Sequence, residues 1–282
     1  MTDDECITLL QWLLPRLALR WPGFRRVRKQ VCKRFQRRLS ELGLDGADAY
    51  RQYLQRNPDE WPVADYLCRV TISRFNRDRG VFGYLADQVL PELGARAEAR
   101  GATRLEAWSV GCASGEEPYT LALIWHYEVA GRLPALSLRI LGTDIDDVLL
   151  QRAQQACYPG SALKALPGEW LADAFEQAGN SYRLKPTITD YVRFGNHDLR
   201  KGLPNDHDFD LVLCRNLAFT YFDENLQCRT AATLNRSLRD GGALVLGQHE
   251  RLPDAVAGFT PWSSAHRVYR KLVDENGPVT AA

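Results

Sequence analysis

The sequence predicts an α/β protein: a doubly wound, largely parallel sheet preceded by a small all-α unit. Three observations carry that expectation. From Arg104 onward short apolar runs alternate with helical stretches, the pattern of βαβ units. The first of these runs ends in a turn bracketed by glycines, Gly111-Cys112-Ala113-Ser114-Gly115. Ahead of them, apolar residues recur at helical spacing.

Composition excludes several classes. With 282 residues, 45% of them hydrophobic and 25% charged, the chain can bury a sizeable core and is neither disordered nor collagen-like. No run approaches the roughly 18 apolar residues of a membrane span, so membrane insertion is not expected. The start, Met1-Thr2-Asp3-Asp4-Glu5, is acidic where a signal peptide is basic, which argues against secretion. Seven cysteines (Cys6, Cys32, Cys68, Cys112, Cys157, Cys214, Cys228) are widely spread and form no C-x-x-C pair. They read as reduced thiols in a cytoplasmic protein. His126, His197, His207, His249 and His266 show no metal-ligand spacing, so no metal is expected.

The helical unit opens with a charge anomaly hidden by a net charge of only +1. Arg25, Arg26, Arg28, Lys29, Lys33, Arg34, Arg37 and Arg38 fall within one short stretch that has no carboxylate. Val27, Val31, Phe35 and Leu39 recur every four residues through it, so it reads as an amphipathic helix stopped by Gly43. A solvated helix face and a docking surface for an acidic partner are the two readings. Nucleic acid is disfavoured, because no aromatics interleave the cations and the rest of the chain is net acidic. Residues 47–56 predict a second helix closed by Pro58, and residues 61–70 a third. The expected organisation is a helical domain over 1–70, a linker segment with a helix over 71–103, and the sheet domain over 104–282.

Within the sheet domain, residues 105–110 read as the first strand and Glu116-Glu117-Pro118-Tyr119 as the start of the following helix, with proline in its first turn. Residues 138–143 form the second strand, ending at Asp144-Ile145-Asp146. Residues 191–194, 209–214, 243–247 and 267–272 complete the strand set. In such sheets ligands bind beyond the carboxyl ends of the strands, where the turn and Asp144 lie. Two successive glutamates repel a pyrophosphate but suit a cation. S-adenosylmethionine carries a sulfonium and an ammonium, and its ribose needs an acceptor such as Asp144. A nicotinamide cofactor and a turn without ligand are the alternatives. The order G-x-x-S-G is not the nucleophile elbow of serine hydrolases. Asp146 reads as a helix cap.

These residues resemble the CheR-type methyltransferases, which methylate glutamates of chemotaxis receptors. The likeness spans nearly the whole chain. Gly111-Cys112-Ala113-Ser114-Gly115-Glu116-Glu117-Pro118-Tyr119 is similar to the family's glycine-turn signature, Thr143-Asp144-Ile145-Asp146 to its D-I-D segment, and Cys214-Arg215-Asn216-Leu217 to its C-R-N-[VL] segment. Asn196-His197-Asp198-Leu199 matches the preceding loop, with Asp198 where asparagine is usual. Thr71-Ile72-Ser73-Arg74-Phe75-Asn76-Arg77 is similar to T-x-F-F-R, Asn76 replacing an aromatic residue. His249-Glu250 resembles the family's H-S-E tail without its serine and stands behind the site. Arg215-Asn216-Leu217-Ala218-Phe219-Thr220-Tyr221-Phe222 has one residue more than the family's R-N-x-x-I-Y-F, and the small β-subdomain around 179–190 looks short.

The resemblance implies a Rossmann-like class I methyltransferase sheet with helices on both faces, and S-adenosylmethionine as cofactor with S-adenosylhomocysteine as product. It places Thr71, Ser73, Arg77, Gly111, Glu117, Asp144, Ile145, Asp198, Leu199, Asn216 and Leu217 at the cofactor, and Arg77 and Tyr221 at the chemistry. Arg34, Arg37 and Arg38 fall on the helix that faces the receptor. The implied reaction is methyl transfer to a carboxylate oxygen, with glutamates of an acidic or helical protein as acceptor. The shortened insertion and shifted aromatic register favour a small-molecule methyltransferase as the rival. A catalytically idle cofactor sensor is the reading from another class.

Overall fold

A computed structural model of the chain describes residues 1–203 and 208–273. His207 lies outside the described residues. The chain divides into two compact units: Met1–Thr71 with Leu217–Gln227, and Ile72–Asn216 with the chain from Cys228 on.

In the first unit five helices follow one another: α1 (Asp3–Leu13), α2 (Trp21–Phe24), α3 (Arg28–Leu42), α4 (Gly46–Arg56) and α5 (Glu60–Cys68). A capping box starts α1, with the Thr2 hydroxyl accepting from the Glu5 N–H while the Glu5 carboxylate accepts from the Thr2 N–H. The four-residue spacing in α3 buries Val31, Phe35 and Leu39, and Gly43 in the left-handed conformation ends the helix. The segment 217–227 is stitched onto this unit. Arg20 N–H donates to the Tyr221 carbonyl at 2.8 Å, Asp223 N–H to the Ala18 carbonyl at 2.9 Å, and the Arg20 guanidinium to the Phe219 and Thr220 carbonyls.

Two findings correct the reading of this unit from residues alone. Cys6 and Cys32 are not reduced thiols: they are joined in a disulfide, with Cα atoms 5.9 Å apart. Packing of α1 against α3 brings together two residues 26 apart in sequence. The other five cysteines form no disulfide. Second, the cations of α3 are not equivalent. Arg38 grips the buried Glu60 carboxylate with Nε at 2.9 Å and Nη2 at 2.7 Å, and the Tyr50 hydroxyl donates to the same carboxylate at 2.8 Å. Arg34 donates to the Leu67 and Arg69 carbonyls at the end of α5. Arg37, by contrast, has its side chain 73% exposed beside Glu41.

The second unit is built on a seven-stranded sheet. Its strands are β1 (Arg104–Val110), β2 (Ser137–Asp144), β6 (Val192–Asn196), β7 (Phe209–Cys214), β8 (Leu238–Leu246), β9 (Phe259–Ser263) and β10 (Val268–Lys271). Their order is β6-β2-β1-β7-β8-β10-β9, parallel through β8 and antiparallel over the last two pairs. Around it lie α6 (Arg79–Tyr84), α7 (Leu90–Ala99), α8 (Glu116–Ile124), α9 (Asp147–Gln155), α10 (Gly168–Ala174), α11 (Pro186–Thr189) and the part of α12 (Glu224–Ser237) from Cys228 on. This is the expected Rossmann-like methyltransferase sheet. Every β7 residue is buried, which explains its unbroken apolar run apart from Asp210. Asp210 instead accepts from Arg100 at 2.7 Å and from the Glu106 N–H at 2.9 Å. The strand order reverses between β1 and β7, so a crevice for a ligand is expected at their carboxyl ends.

A separate antiparallel sheet joins β3 (Cys157–Pro159), β5 (Ser181–Leu184) and β4 (Phe175–Ala178), strands that the reading of the residues did not place. The segment that looked short in sequence carries the central strand β5, which turns back from β4 at Gly179 with φ +62°. Among the described residues no helix is long and apolar enough to cross a membrane.

The Glu60 network generates a stability prediction. Glu60→Ala leaves Arg38 and Tyr50 without their shared acceptor and lowers the unfolding free energy by about 2 to 3 kcal/mol in urea titrations. Its hydrogen bonds to Arg38, against the effect of burial, hold the Glu60 carboxyl below its ordinary value. A depressed carboxyl pKa stabilises the fold above the unfolded-state value and loses that contribution as pH falls through the folded-state value. Wild type and variant therefore converge in acid.

Candidate active site

Three strand ends and one turn build the site within the second unit. After β1, the backbone passes through left-handed geometry at Gly111 (φ +67°), Ala113 (φ +49°) and Gly115 (φ +91°). A Cβ on Gly115 would lie 3.0 Å from the Ala153 Cβ and 3.1 Å from the Tyr158 hydroxyl, so both conformation and space demand glycine. Cys112 N–H donates to the Thr143 carbonyl at 2.9 Å, tying the turn to β2. Burial first, then the nearby Asp144 and Glu117 carboxylates, pushes the Cys112 thiol well above its ordinary pKa. It is a neutral packing group and no nucleophile.

Asp144 closes β2. Its Oδ2 accepts from the Ala113 N–H at 2.9 Å and its Oδ1 from the Asp146 N–H at 3.0 Å. An ionised carboxylate has about four acceptor positions, so these two bonds fix the group while leaving room for two hydroxyl donors. Burial, with repulsion from Asp146, pushes its carboxyl above the ordinary aspartate value against the opposing N–H groups. Asp146 caps α9, its side chain accepting from Val148 and Leu149 N–H. Ile145 follows Asp144, and its carbonyl accepts from the Asn196 side chain at 3.2 Å.

The end of β7 supplies the most heavily bonded group. Arg215, with its side chain 1% exposed, donates to Glu117 Oε2 at 3.0 Å, to Asp78 Oδ2 at 2.8 Å and to the Arg77 carbonyl at 3.0 Å. Its guanidinium also stands over the Phe82 ring at 5.0 Å. The other oxygen of Glu117 accepts from the Ser109 hydroxyl at 2.8 Å. Arg77 sits between Asn76 (φ +51°) and Asp78 (φ +62°), both left-handed. Its Nη1 donates to the Ile72 carbonyl at 3.0 Å and its Nη2 to Asn216 Oδ1 at 3.1 Å. Asn76 is anchored by its N–H to the Thr120 hydroxyl at 3.0 Å and by its amide to the Ala165 carbonyl at 3.1 Å.

Arg77, Glu117 and Asn216 are thus tied into one hydrogen-bonded group with Arg215, while Asp144 and the glycine turn are bonded to each other. Asp198 is engaged elsewhere: Arg200 holds its carboxylate through Nε and Nη2, and it caps the short turn Leu199–Lys201. Burial raises its carboxyl, but the Arg200 contacts more than offset this and leave it below the ordinary value. Leu199 is buried beside it. Ser73 is half-buried in the segment leading to the Arg77 turn. Thr71, Leu217 and Tyr221 belong to the first unit, where the Tyr221 ring meets the edge of Phe24 with centroids 5.1 Å apart. The extra residue before Tyr221-Phe222 is taken up in the short helix Ala218–Tyr221. Among the described residues no group of His, Cys, Asp or Glu side chains is arranged to hold a metal ion.

The family described as "CheR methyltransferase, SAM binding domain" matches residues 71–268. The chain belongs to this family. A chemotaxis protein methyltransferase of Listeria monocytogenes is 33% identical over 186 residues, 66% of this chain and 67% of that protein. Its counterpart in Salmonella typhimurium is 26% identical, covering 92% of this chain and 94% of its own. An uncharacterised 104.1 kDa protein of Rhodobacter capsulatus is 31% identical over 89% of this chain, which spans only 26% of that relative's length. As a CheR-family member the chain is an S-adenosylmethionine-dependent methyltransferase. The donor set fits that cofactor: Asp144 has acceptor positions left for a diol, and the carboxylate side chains of Glu116 and Glu117 follow the glycine turn, a chemistry that suits a cation.

Sequence reasoning missed Arg215 as a site residue, although it stands inside the C-R-N segment. Its signal was the arginine itself in a buried strand end, where only paired charges persist. Asp144→Ala is expected to abolish S-adenosylhomocysteine binding in calorimetric titrations. In the unaltered protein, affinity should fall on acidification starting above the ordinary aspartate range, because protonation of a carboxyl with a raised pKa removes the acceptor.

Proposed function

We propose that the enzyme transfers the methyl group to a carboxylate oxygen, with glutamate side chains of an acidic, helical protein as acceptors. The observation that carries this reading is the Arg77 guanidinium. Two of its five N–H groups are held by Ile72 and Asn216 on a partly exposed side chain, so the guanidinium has donors left for a planar anion. Arginine pairs with a carboxylate through two parallel hydrogen bonds, which orients it as well as binding it.

Bound S-adenosylmethionine would supply an electrophilic sulfonium methyl: the acceptor oxygen would bond to its carbon as the carbon–sulfur bond breaks, with the neutral thioether as leaving group. A carboxylate is already ionised at pH 7, so no residue of this chain needs to remove a proton. The chain contributes position: Arg77 orients the acceptor, Asp144 fixes the donor's ribose, and Glu117 with its neighbours matches the donor's charge. Arg77 carries the catalytic role among these.

Recruitment falls to the basic helix and the turn before it, through the cations that face solvent: Arg25 and Arg26 in the turn, and Lys29, Lys33 and Arg37 on the helix. Arg34 and Arg38 serve it indirectly, by fixing α3 against α5. Nucleic acid is not the partner. We place the enzyme in the cytoplasm, since five of its seven cysteines form no disulfide. The Cys6–Cys32 bond points the other way, since disulfides persist in oxidising compartments.

Incubation with methyl-labelled S-adenosylmethionine and host lysate tests the reading. Label should enter a protein band as a base-labile ester. Label in a small metabolite would replace it with the small-molecule reading, and no transfer with the cofactor-sensor reading. Arg77→Ala should lower transfer by on the order of a hundredfold, as for loss of a preorganised charged contact, while cofactor affinity stays within a few fold. Unchanged transfer would remove Arg77 from the chemistry. Reversing Lys29, Lys33 and Arg37 to glutamate should slow labelling of a protein acceptor about tenfold, most strongly at low salt.

A further inference from the structure

Glu250 lies four residues beyond the end of β8 and takes no part in the chemistry above. It is 2% exposed. Its Oε2 accepts from two backbone N–H groups, those of Asn216 and Gly247, each at 2.7 Å. Hydrogen bonds to an ionised acceptor are the short, strong kind. The space around them is closed: a Cβ on Gly247 would lie 2.7 Å from Glu250 Oε2 and 3.0 Å from the Asn216 nitrogen. Only glycine lets the carboxylate reach both donors.

Asn216 needs such a hold. Its backbone is left-handed at φ +56°, a conformation asparagine tolerates but does not keep by itself, since the right-handed and extended regions remain open to it. Its side-chain oxygen accepts from Arg77 Nη2 at 3.1 Å, one of the two bonds that anchor that guanidinium. Three residues from separate parts of the chain therefore form one line of bonds, from Glu250 through the Asn216 backbone and amide to Arg77.

We propose that Glu250 is a positioning residue for methyl transfer, holding Asn216 in its left-handed state and thereby fixing the orientation of Arg77. Without that carboxylate Asn216 relaxes, its amide turns away, and Arg77 keeps only the Ile72 carbonyl. The inference rests on Arg77 as the acceptor-binding group.

The test uses the full chain, the labelled methyl donor and the protein band that wild type labels, with S-adenosylhomocysteine affinity and melting temperature measured alongside. Glu250→Ala should lower transfer by on the order of thirtyfold, through a higher acceptor KM and a lower kcat. Glu250→Gln, whose carbonyl can still accept both N–H groups, should lose only a few fold. Gly247→Ala, which keeps the carboxylate but pushes it and the Asn216 backbone apart, should resemble Glu250→Ala. Because Asn216 also stands on the cofactor side of the site, any fall in product affinity should be smaller than the fall in transfer in each variant. Undiminished transfer in Glu250→Ala and Gly247→Ala would overturn the proposal. So would a loss of product affinity or of melting temperature that accounts for the loss of transfer. If Arg77→Ala itself keeps full transfer, the reading of Arg77 fails, and this inference fails with it.

Discussion

The site depends on one buried cation. Arg215 is desolvated by its place at the end of β7, and burying a guanidinium is tolerable only if acids and carbonyls surround it. Glu117 from α8, Asp78 from the start of α6 and the Arg77 carbonyl meet that requirement. The acceptors come from two segments far apart in sequence, so one charge fixes the relative placement of Glu117 and the turn that presents Arg77. Removing the arginine leaves two carboxylates without their shared cation, which is why the group acts as a unit.

That constraint also explains where the backbone is unfavourable. Asn76, Asp78 and Asn216 are all left-handed, and all three bond to, or adjoin, Arg77. Each conformation is held from outside: Asn76 by Thr120 and Ala165, Asp78 by Arg215, Asn216 by Glu250. Such residues persist only where their surroundings over-determine them. Their concentration around a single guanidinium marks the place where this chain sets orientation above backbone comfort.

Much of this was legible in the residues. The four-residue spacing of Val31, Phe35 and Leu39 gave α3 and its stop, and the glycine turn with its two following glutamates pointed to S-adenosylmethionine as the cofactor. What escaped was non-local. Nothing near Cys6 or Cys32 announces the other, because their meeting depends on how α1 packs on α3. The roles of Arg34 and Arg38 turn on α5, whose Glu60 and terminal carbonyls lie more than twenty residues away. Strands β3, β4 and β5 are 3 to 4 residues long, too short for an alternation to stand out. Asp198 is a different case, since Arg200 two residues on was visible and competes for its carboxylate.

Calorimetric titration of an Arg215→Met variant with S-adenosylhomocysteine, paired with its methyl-transfer rate, tests the coupling most directly. If Arg215 organises both halves of the site, a variant that keeps its circular dichroism spectrum loses product affinity and transfer together, each by at least tenfold, or about 1.4 kcal/mol. A folded variant that binds the product as tightly as wild type, or transfers methyl groups as fast, would contradict it.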